Sequence, residues 1–338
     1  MKILVTGAAG FIGYHLVKNL VSSIPKSTIF GIDNINNYYD VDLKYSRLNQ
    51  LGYDKSNISC EKFSHSKRHE NFQFLKCDIT DEKKINEIFR LNKFEIVIHL
   101  AAQAGVRYSI KKPSEYISSN ILGFYYVLQA CKEYEVDKFI YASSSSVYGN
   151  NEKVPFIESD NTDNPISLYA ATKKSNEIIA QSYSELYGLK TIGLRFFTVY
   201  GPYGRPDMAY FIFTKSIINN KVIDIYNNGD MLRDFTYVDD IVNGIKNITI
   251  SKKNIQLKSI YNIGNGDPVN LLKFIKLIEE NLNKKALTNF LPIQKGDVYK
   301  TWANTESLKK DINYSSSIKI DVGIKKFIKW YKNYYNRK

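Results

Sequence analysis

The chain has 338 residues, 43% of them hydrophobic and 24% charged, which suits one or two globular domains and excludes collagen-like and disulfide-rich classes. Lysine and arginine outnumber aspartate and glutamate by 47 to 34, and the resulting +13 raises nucleic acid or an anionic surface as a partner. Cys60, Cys77 and Cys131 are odd in number and lack C-x-x-C spacing, which excludes a disulfide framework or thiolate zinc site and leads us to expect a cytoplasmic protein.

Met1 runs directly into the strand pattern Lys2 to Thr6, so no signal peptide is expected, and no apolar run approaches the roughly 20 residues of a membrane span. Further strands are predicted at Thr28 to Asp33, Phe72 to Asp78, Glu95 to Leu100 and Lys138 to Ser143, with helix patterns between them. This alternation predicts βαβ units in an α/β fold, a parallel sheet with helices on both faces. The polar stretch from Gly52 to Asn71 reads as a surface loop. His65 and His69 within it are four residues apart, but no third ligand accompanies them and no metal is expected. Past about residue 200 the regularity weakens at Gly201-Pro202-Tyr203-Gly204-Arg205-Pro206, followed by short mixed segments and a helix pattern at Asn270 to Asn283. We therefore expect a first domain over residues 1–200 and a smaller C-terminal α/β substrate lobe over 201–338, with segments interleaved.

Gly7-Ala8-Ala9-Gly10-Phe11-Ile12-Gly13 follows the first strand and opens a helix pattern. A turn without side chains brings backbone N–H groups and a helix N-terminus up to a diphosphate, as in a Rossmann-type doubly wound sheet; a turn kept for packing alone is the alternative. Asp33 ends the second strand 20 residues after Gly13, where a carboxylate accepts from both ribose hydroxyls and repels a 2′-phosphate, favouring NAD over NADP. Asn34 beside it, Asp78 and Ile79 after the third strand, and Leu100, Ala101 and Ala102 after the fourth complete the candidate cofactor set, although these positions are equally explained as ordinary strand ends.

Tyr169 and Lys173 are four residues apart at the start of a helix pattern and share one face. A phenol with a pKa near 10 is a poor base, and a nearby ammonium favours its phenolate. With 26 tyrosines in the chain the spacing occurs by chance, so its context decides: Ser143-Ser144-Ser145-Ser146 closes the fifth strand at the carboxyl edge, where such sheets bind ligands. One hydroxyl there can relay a proton and the others can hold polar substrate groups.

Together with Tyr148-Gly149 and Asp239-Asp240, these motifs resemble the extended short-chain dehydrogenase/reductases that act on nucleotide sugars, over nearly the whole chain. Four longer blocks resemble UDP-glucuronate 4-epimerases in particular: Asp33 through Asp40, Ala101 through Ser109, Ser167 through Lys173, and Leu194 through Pro202 running into Gly204 through Ala209. The resemblance implies a tightly held NAD, Tyr169 as base, Ser144 as relay and Lys173 orienting the cofactor. It also implies a UDP-sugar substrate, with Asp224 and Tyr226 flanking uracil, Arg233 on a phosphate, Asp297 on ribose and Arg107 on the substrate side. Arg205 would hold a sugar carboxylate with Thr198, Ser145 and Ser146. Only eight basic residues are arginine, so those three arginine positions together with Arg195 carry more information than any lysine. Surface ion pairing is the alternative for each, and Arg195, inside an apolar strand, is the one expected to be structural.

The implied reaction is 4-epimerisation of UDP-glucuronate through a 4-keto sugar, with a UDP-hexose 4-epimerase, a UDP-glucuronate decarboxylase or a non-enzymatic NAD sensor as alternatives. The resemblance further implies a homodimer, through surfaces at Tyr116 to Tyr134 and Ile178 to Leu186, and no nucleic-acid partner. Residues 309–338 hold nine Lys or Arg against two Asp, +7 of the total +13, on a helix pattern whose apolar face either docks on the body or rests on a membrane surface.

Overall fold

The computed structural model describes residues 1–251, 259–293 and 299–335. In chain order the first half runs β1 (Lys2–Thr6), α1 (Phe11–Ser23), β2 (Thr28–Asp33), α2 (Val41–Gln50), β3 (Ser64–His65), β4 (Phe72–Lys76), α3 (Glu82–Asn92), β5 (Ile96–His99), α4 (Val106–Lys111), α5 (Pro113–Tyr116), α6 (Phe124–Glu133), β6 (Lys138–Ser144), α7 (Leu168–Tyr187) and β7 (Thr191–Phe196). The rest comprises β8 (Thr198–Tyr200), α8 (Ala209–Ile218), β9 (Val222–Tyr226), β10 (Leu232–Arg233), β11 (Phe235–Tyr237), α9 (Val238–Ile250), β12 (Ile260–Ile263), β13 (Val269–Asn270), α10 (Leu271–Leu282), β14 (Leu287–Leu291), β15 (Lys300–Thr301), α11 (Glu306–Ile312) and α12 (Ile320–Tyr335).

Among the described residues the large sheet has the order β12-β7-β6-β5-β1-β2-β4-β3, parallel throughout except for the edge pair β3 and β4. Its central strands are nearly continuous apolar runs because helices cover both faces: Ile3, Leu4 and Val5 of β1 are fully buried. The direction of winding reverses between β1 and β5, so the carboxyl ends of these strands open the crevice where such sheets take ligands. β12 returns to this sheet beside β7, pairing Asn262 with Arg195, after the β11-β8 pair is complete and before β13, β14 and β15 close two further small sheets, β14-β9 and β13-β10-β15.

The predicted strand over Phe72 to Asp78 stops at Lys76, and Asp78 stands in the turn beyond, its carboxylate accepting from Thr80 N and Oγ1 at 2.9 and 2.8 Å. The stretch read as a surface loop holds β3, two residues too short to show a period. It is pinned by the buried ring of Tyr53, whose hydroxyl donates to Ser64 O at 2.6 Å. The basic C-terminal helix docks: Phe327 meets Tyr210 of α8 edge-on at 4.9 Å, while Lys325, Lys326 and Lys329 stay exposed. Its apolar face is therefore taken up by the body of the protein.

Candidate active site

β1 delivers the chain into Gly7 at φ +71°, a left-handed backbone that a side chain would strain. A Cβ on Gly13 would stand 2.1 Å from the Gly7 carbonyl oxygen, so only glycine lets α1 start this close to the turn. Gly10 is the N-cap of α1 and supplies no side-chain acceptor, and Phe11 and Ile12 open the helix behind it. First-turn N–H groups left without a side-chain cap, at the positive end of a 13-residue helix, suit an anion.

Asp33 holds the next corner. Its Oδ2 accepts from Ala9 N at 3.2 Å and its Oδ1 from Ile35 N at 2.8 Å, with Lys44 Nζ 3.8 Å from Oδ1. Asn34 Nδ2 donates to Asp78 Oδ2 at 2.8 Å. Burial would raise the Asp78 pKa, but the bonds from Asn34 and Thr80 outweigh it and hold the carboxyl below its usual value. Buried Ile79 packs on Gly123, and Ala101 N donates to Thr6 Oγ1 at 3.0 Å beside Leu100 and Ala102. The predicted cofactor residues thus gather at the carboxyl ends of β1, β2, β4 and β5, where a bare turn for a diphosphate and an acid for a ribose fit a dinucleotide.

The candidate acid–base residues lie next along the same edge. Ser144 ends β6, bonded to Ser146 through both Oγ–Oγ at 3.1 Å and Ser146 N at 3.2 Å. α7 is started by Ser167, whose Oγ accepts from Ala170 N at 3.1 Å, so Tyr169 sits in its first turn and Lys173 one turn on. Burial raises the Tyr169 pKa; a hydrogen bond with Ser144 and the charge of Arg205 oppose that rise, and Asp207 adds to it. Lys173 is 2% exposed, donates to Ala142 O at 2.9 Å, and burial pulls its pKa down to about 8.

Arg205 and Asp207 reach this group from the segment after β8. Arg205 Nε meets Asp207 Oδ1 at 3.1 Å and Nη2 meets Oδ2 at 2.5 Å, and Tyr38 OH donates to the same Oδ2 at 3.0 Å. An incoming anion would share or displace a fork already filled by Asp207. Thr198 starts β8, and Ser145 and Ser146 form the tight turn after β6. The uridine candidates split. Asp224 and Tyr226 alternate on β9, Asp224 accepts from Asn289 Nδ2 at 2.9 Å, and the exposed Arg107 lies 5.1 Å from the centre of the Tyr226 ring. Arg233 donates to Leu232 O and Tyr299 O, each at 3.0 Å, and Asp297 lies outside the described residues.

The Tyr169/Lys173 spacing continues to Glu177, which the sequence reading passed over. Its carboxylate takes Arg195 Nε at 2.9 Å, Arg195 Nη2 at 2.8 Å and Ser143 Oγ at 2.5 Å. Arg195 Nη1 donates to Tyr148 OH at 2.9 Å, and that hydroxyl donates to Asn262 Oδ1 at 2.6 Å. Arg195 is therefore paired in the interior rather than on the surface, because β7 is covered on both faces. Asn120, also unforeseen, bonds Gln103 on one side and Thr172 of α7 on the other.

This turn, this edge and this helix define a dinucleotide-dependent enzyme of the short-chain type, and residues 3–264 match the NAD dependent epimerase/dehydratase family, to which the chain belongs. Curated relatives include protein CapI of Staphylococcus aureus, 46% identical over 100% of both chains, and UDP-glucuronate 4-epimerase 4 of Arabidopsis thaliana, 43% identical over 99% of this chain and 76% of the relative. Among solved structures, a Bacillus cereus UDP-glucuronic acid 4-epimerase in complex with UDP-glucuronic acid and NAD superposes with TM-score 0.88 at 33% identity, covering 99% of this chain and 100% of the other. A Thermotoga maritima UDP-glucose 4-epimerase superposes with TM-score 0.84 at 30% identity, with the same coverage.

Proposed function

We propose that this chain is an isomerase that interconverts UDP-glucuronate and UDP-galacturonate by NAD-dependent 4-epimerisation. Similarity to UDP-glucuronate 4-epimerases over the full chain supports the substrate. The observation that carries the reading is local: the Arg205 guanidinium, held by Asp207 at 3.1 and 2.5 Å with the Tyr38 hydroxyl on the same carboxylate, carries a charge that favours the phenolate of the half-buried Tyr169. A neutral hexose has no use for that charge; a carboxylate at C5, next to the reacting C4, does.

Tyr169, with Ser144 as relay, removes the proton from the sugar 4-hydroxyl and later returns it. Bound NAD supplies the hydride acceptor and donor for C4, leaving no net oxidation. Lys173 orients the cofactor ribose from one helical turn below. The 4-keto acid formed from the sugar loses carbon dioxide when its carboxylate lies perpendicular to the carbonyl plane, and Arg205 with Thr198, Ser145 and Ser146 holds it out of that alignment. Gly7, Gly10, Phe11, Ile12, Gly13, Asp33, Asn34, Asp78, Ile79, Leu100, Ala101 and Ala102 form the cofactor side, and Arg107, Asp224, Tyr226, Arg233 and Asp297 the nucleotide side. In this reading residues 1–200 mainly hold cofactor and chemistry, and residues 201–338 mainly the sugar nucleotide.

A homodimer in the cytoplasm completes the proposal. Ile117 (51% exposed), Ile178 (58%) and Leu186 (69%) leave an apolar face on the helices around α6 and α7 that a second copy would cover, and the three cysteines are free. Among the described residues no helix is long and apolar enough to cross a membrane. The deciding assay is product identity by NMR: UDP-galacturonate from UDP-glucuronate is expected. A UDP-pentose with carbon dioxide would make the chain a decarboxylase, and turnover of UDP-glucose without UDP-glucuronate would overturn the carboxylate assignment.

A further inference from the structure

α2 carries Arg47 into the joint between the glycine turn and the segment that follows β8, where it is fully buried. Its Nε donates to Tyr203 O at 3.1 Å, and its Nη2 to Tyr203 O at 2.7 Å and Gly204 O at 3.3 Å. On the other side Nη1 donates to Ala9 O at 2.9 Å and to Tyr39 OH at 2.6 Å. These contacts match the five N–H groups of a guanidinium, and they join stretches of chain more than 150 residues apart. The far stretch is itself firmly seated. Tyr203 has φ +56° and its ring lies 5.1 Å from Tyr14 of α1 and 4.9 Å from Trp330 of α12. Arg205 is the next residue but one, and its N donates to Tyr210 OH at 3.2 Å.

Charge separates Arg47 from the other buried arginine. Arg195 is neutralised by Glu177, whereas every acceptor of Arg47 is a carbonyl or a phenol, and among the described residues no carboxylate pairs with it. A cation withdrawn from water without a countercharge is costly. The turn that it braces is the one that fits a diphosphate, whose negative charge would offset that cost.

We propose that Arg47 is a positioning residue that couples the two halves of the crevice. It ties the glycine turn to Tyr203 and Gly204, so that seating the dinucleotide aligns Arg205 for the sugar nucleotide, and the dinucleotide diphosphate completes the charge balance around it. This rests on the reading of the glycine turn and Arg205 given above. Lysine at this position keeps the charge and most of the volume, but one ammonium cannot reproduce a fork that reaches Ala9 and Tyr203 together.

The test is the linkage between two ligands on NAD-stripped protein, titrating NAD⁺ and UDP-glucuronate each alone and each with the other. In the wild type, bound NAD⁺ should tighten UDP-glucuronate by about tenfold, and the reverse by the same factor. Arg47→Lys should fold with a lowered Tm, because buried carbonyls lose their donors, keep the pH profile of kcat and lose most of that factor. A folded Arg47→Lys that keeps the full factor, or a wild type with none, overturns the proposal, and Arg47→Gln carries the same readout if the lysine variant does not fold. Amide exchange in the wild type needs no variant: NAD⁺ alone should slow exchange across residues 203–207, and unchanged exchange there overturns the proposal. Parallel titration with UDP keeps the two readings apart, since equal affinities for UDP and UDP-glucuronate count against Arg205 as the carboxylate holder while the exchange result still judges Arg47.

Discussion

On the sheet side of the crevice, Tyr169 and Lys173 stand on a helix whose next turn, Glu177, is locked to Arg195 inside the protein. On the other side, Arg205 and Arg233 are only partly enclosed and Asp224 is exposed, and each is held by neighbours of its own chain: Asp207, backbone carbonyls and Asn289. In the proposed reaction the first arrangement would fix groups whose protonation matters, and the second would keep polar groups aimed until a charged ligand competes for them. Substitutions on the sheet side should therefore act on kcat, and those on the other side on KM.

The sharpest contrast is Tyr169→Phe, which should lower kcat on UDP-glucuronate by about 10³-fold while bound NAD, read from the absorbance of the purified protein, is retained. A change in KM alone would break the division. Arg205→Lys should raise KM for UDP-glucuronate by about 10- to 100-fold, the worth of a charge-assisted bidentate contact, with a much smaller change in the affinity for UDP. Equal losses for both ligands would place Arg205 on the nucleotide instead of the sugar.

The smallest effect tests the enclosure of Lys173. Its pKa falls from 10.5 to about 8 on folding, so the folded chain binds fewer protons than the unfolded chain between those values. The stability of the wild type relative to Lys173→Met should rise with pH from about 8 to 10.5 and be flat below pH 8, measured by denaturant unfolding across that range. A flat difference over the whole range would mean that Lys173 is hydrated, and the sheet side no more closed than the other side.

The cofactor half was legible because its constraints are local: three glycines in seven residues and an acid at the end of the next strand. α10 was legible for the same reason, since Asn270 caps it by accepting from Leu272 N and Lys273 N and Asn283 ends it at φ +54°. Tyr169 and Lys173 were found by spacing along one helix. Asp207 stands two residues from Arg205, yet its hold on that side chain depends on the path of a turn with no periodicity. The partner of Arg195 lies on a different element, and Arg47 meets the Tyr203 carbonyl 156 residues further along the chain. Such pairings are set by which surfaces the fold presses together: arginine scarcity marked Arg195 and Arg205 without naming their partners, and Arg47 was not singled out at all.

The returning strand β12 has a consequence for how such a molecule can be divided or altered. Cut at residue 200, the chain would leave β7 as a raw margin, with the hydrogen-bonding groups that now meet Ile260 to Ile263 open to any passing strand. Asn262, on that same strand, accepts from the Tyr148 hydroxyl and so completes the bed under α7 from the far end of the sequence. The segment after residue 200, proposed to select the sugar, is stitched to the sheet that carries Tyr169 and Lys173 at its edge by a strand that neither can give up.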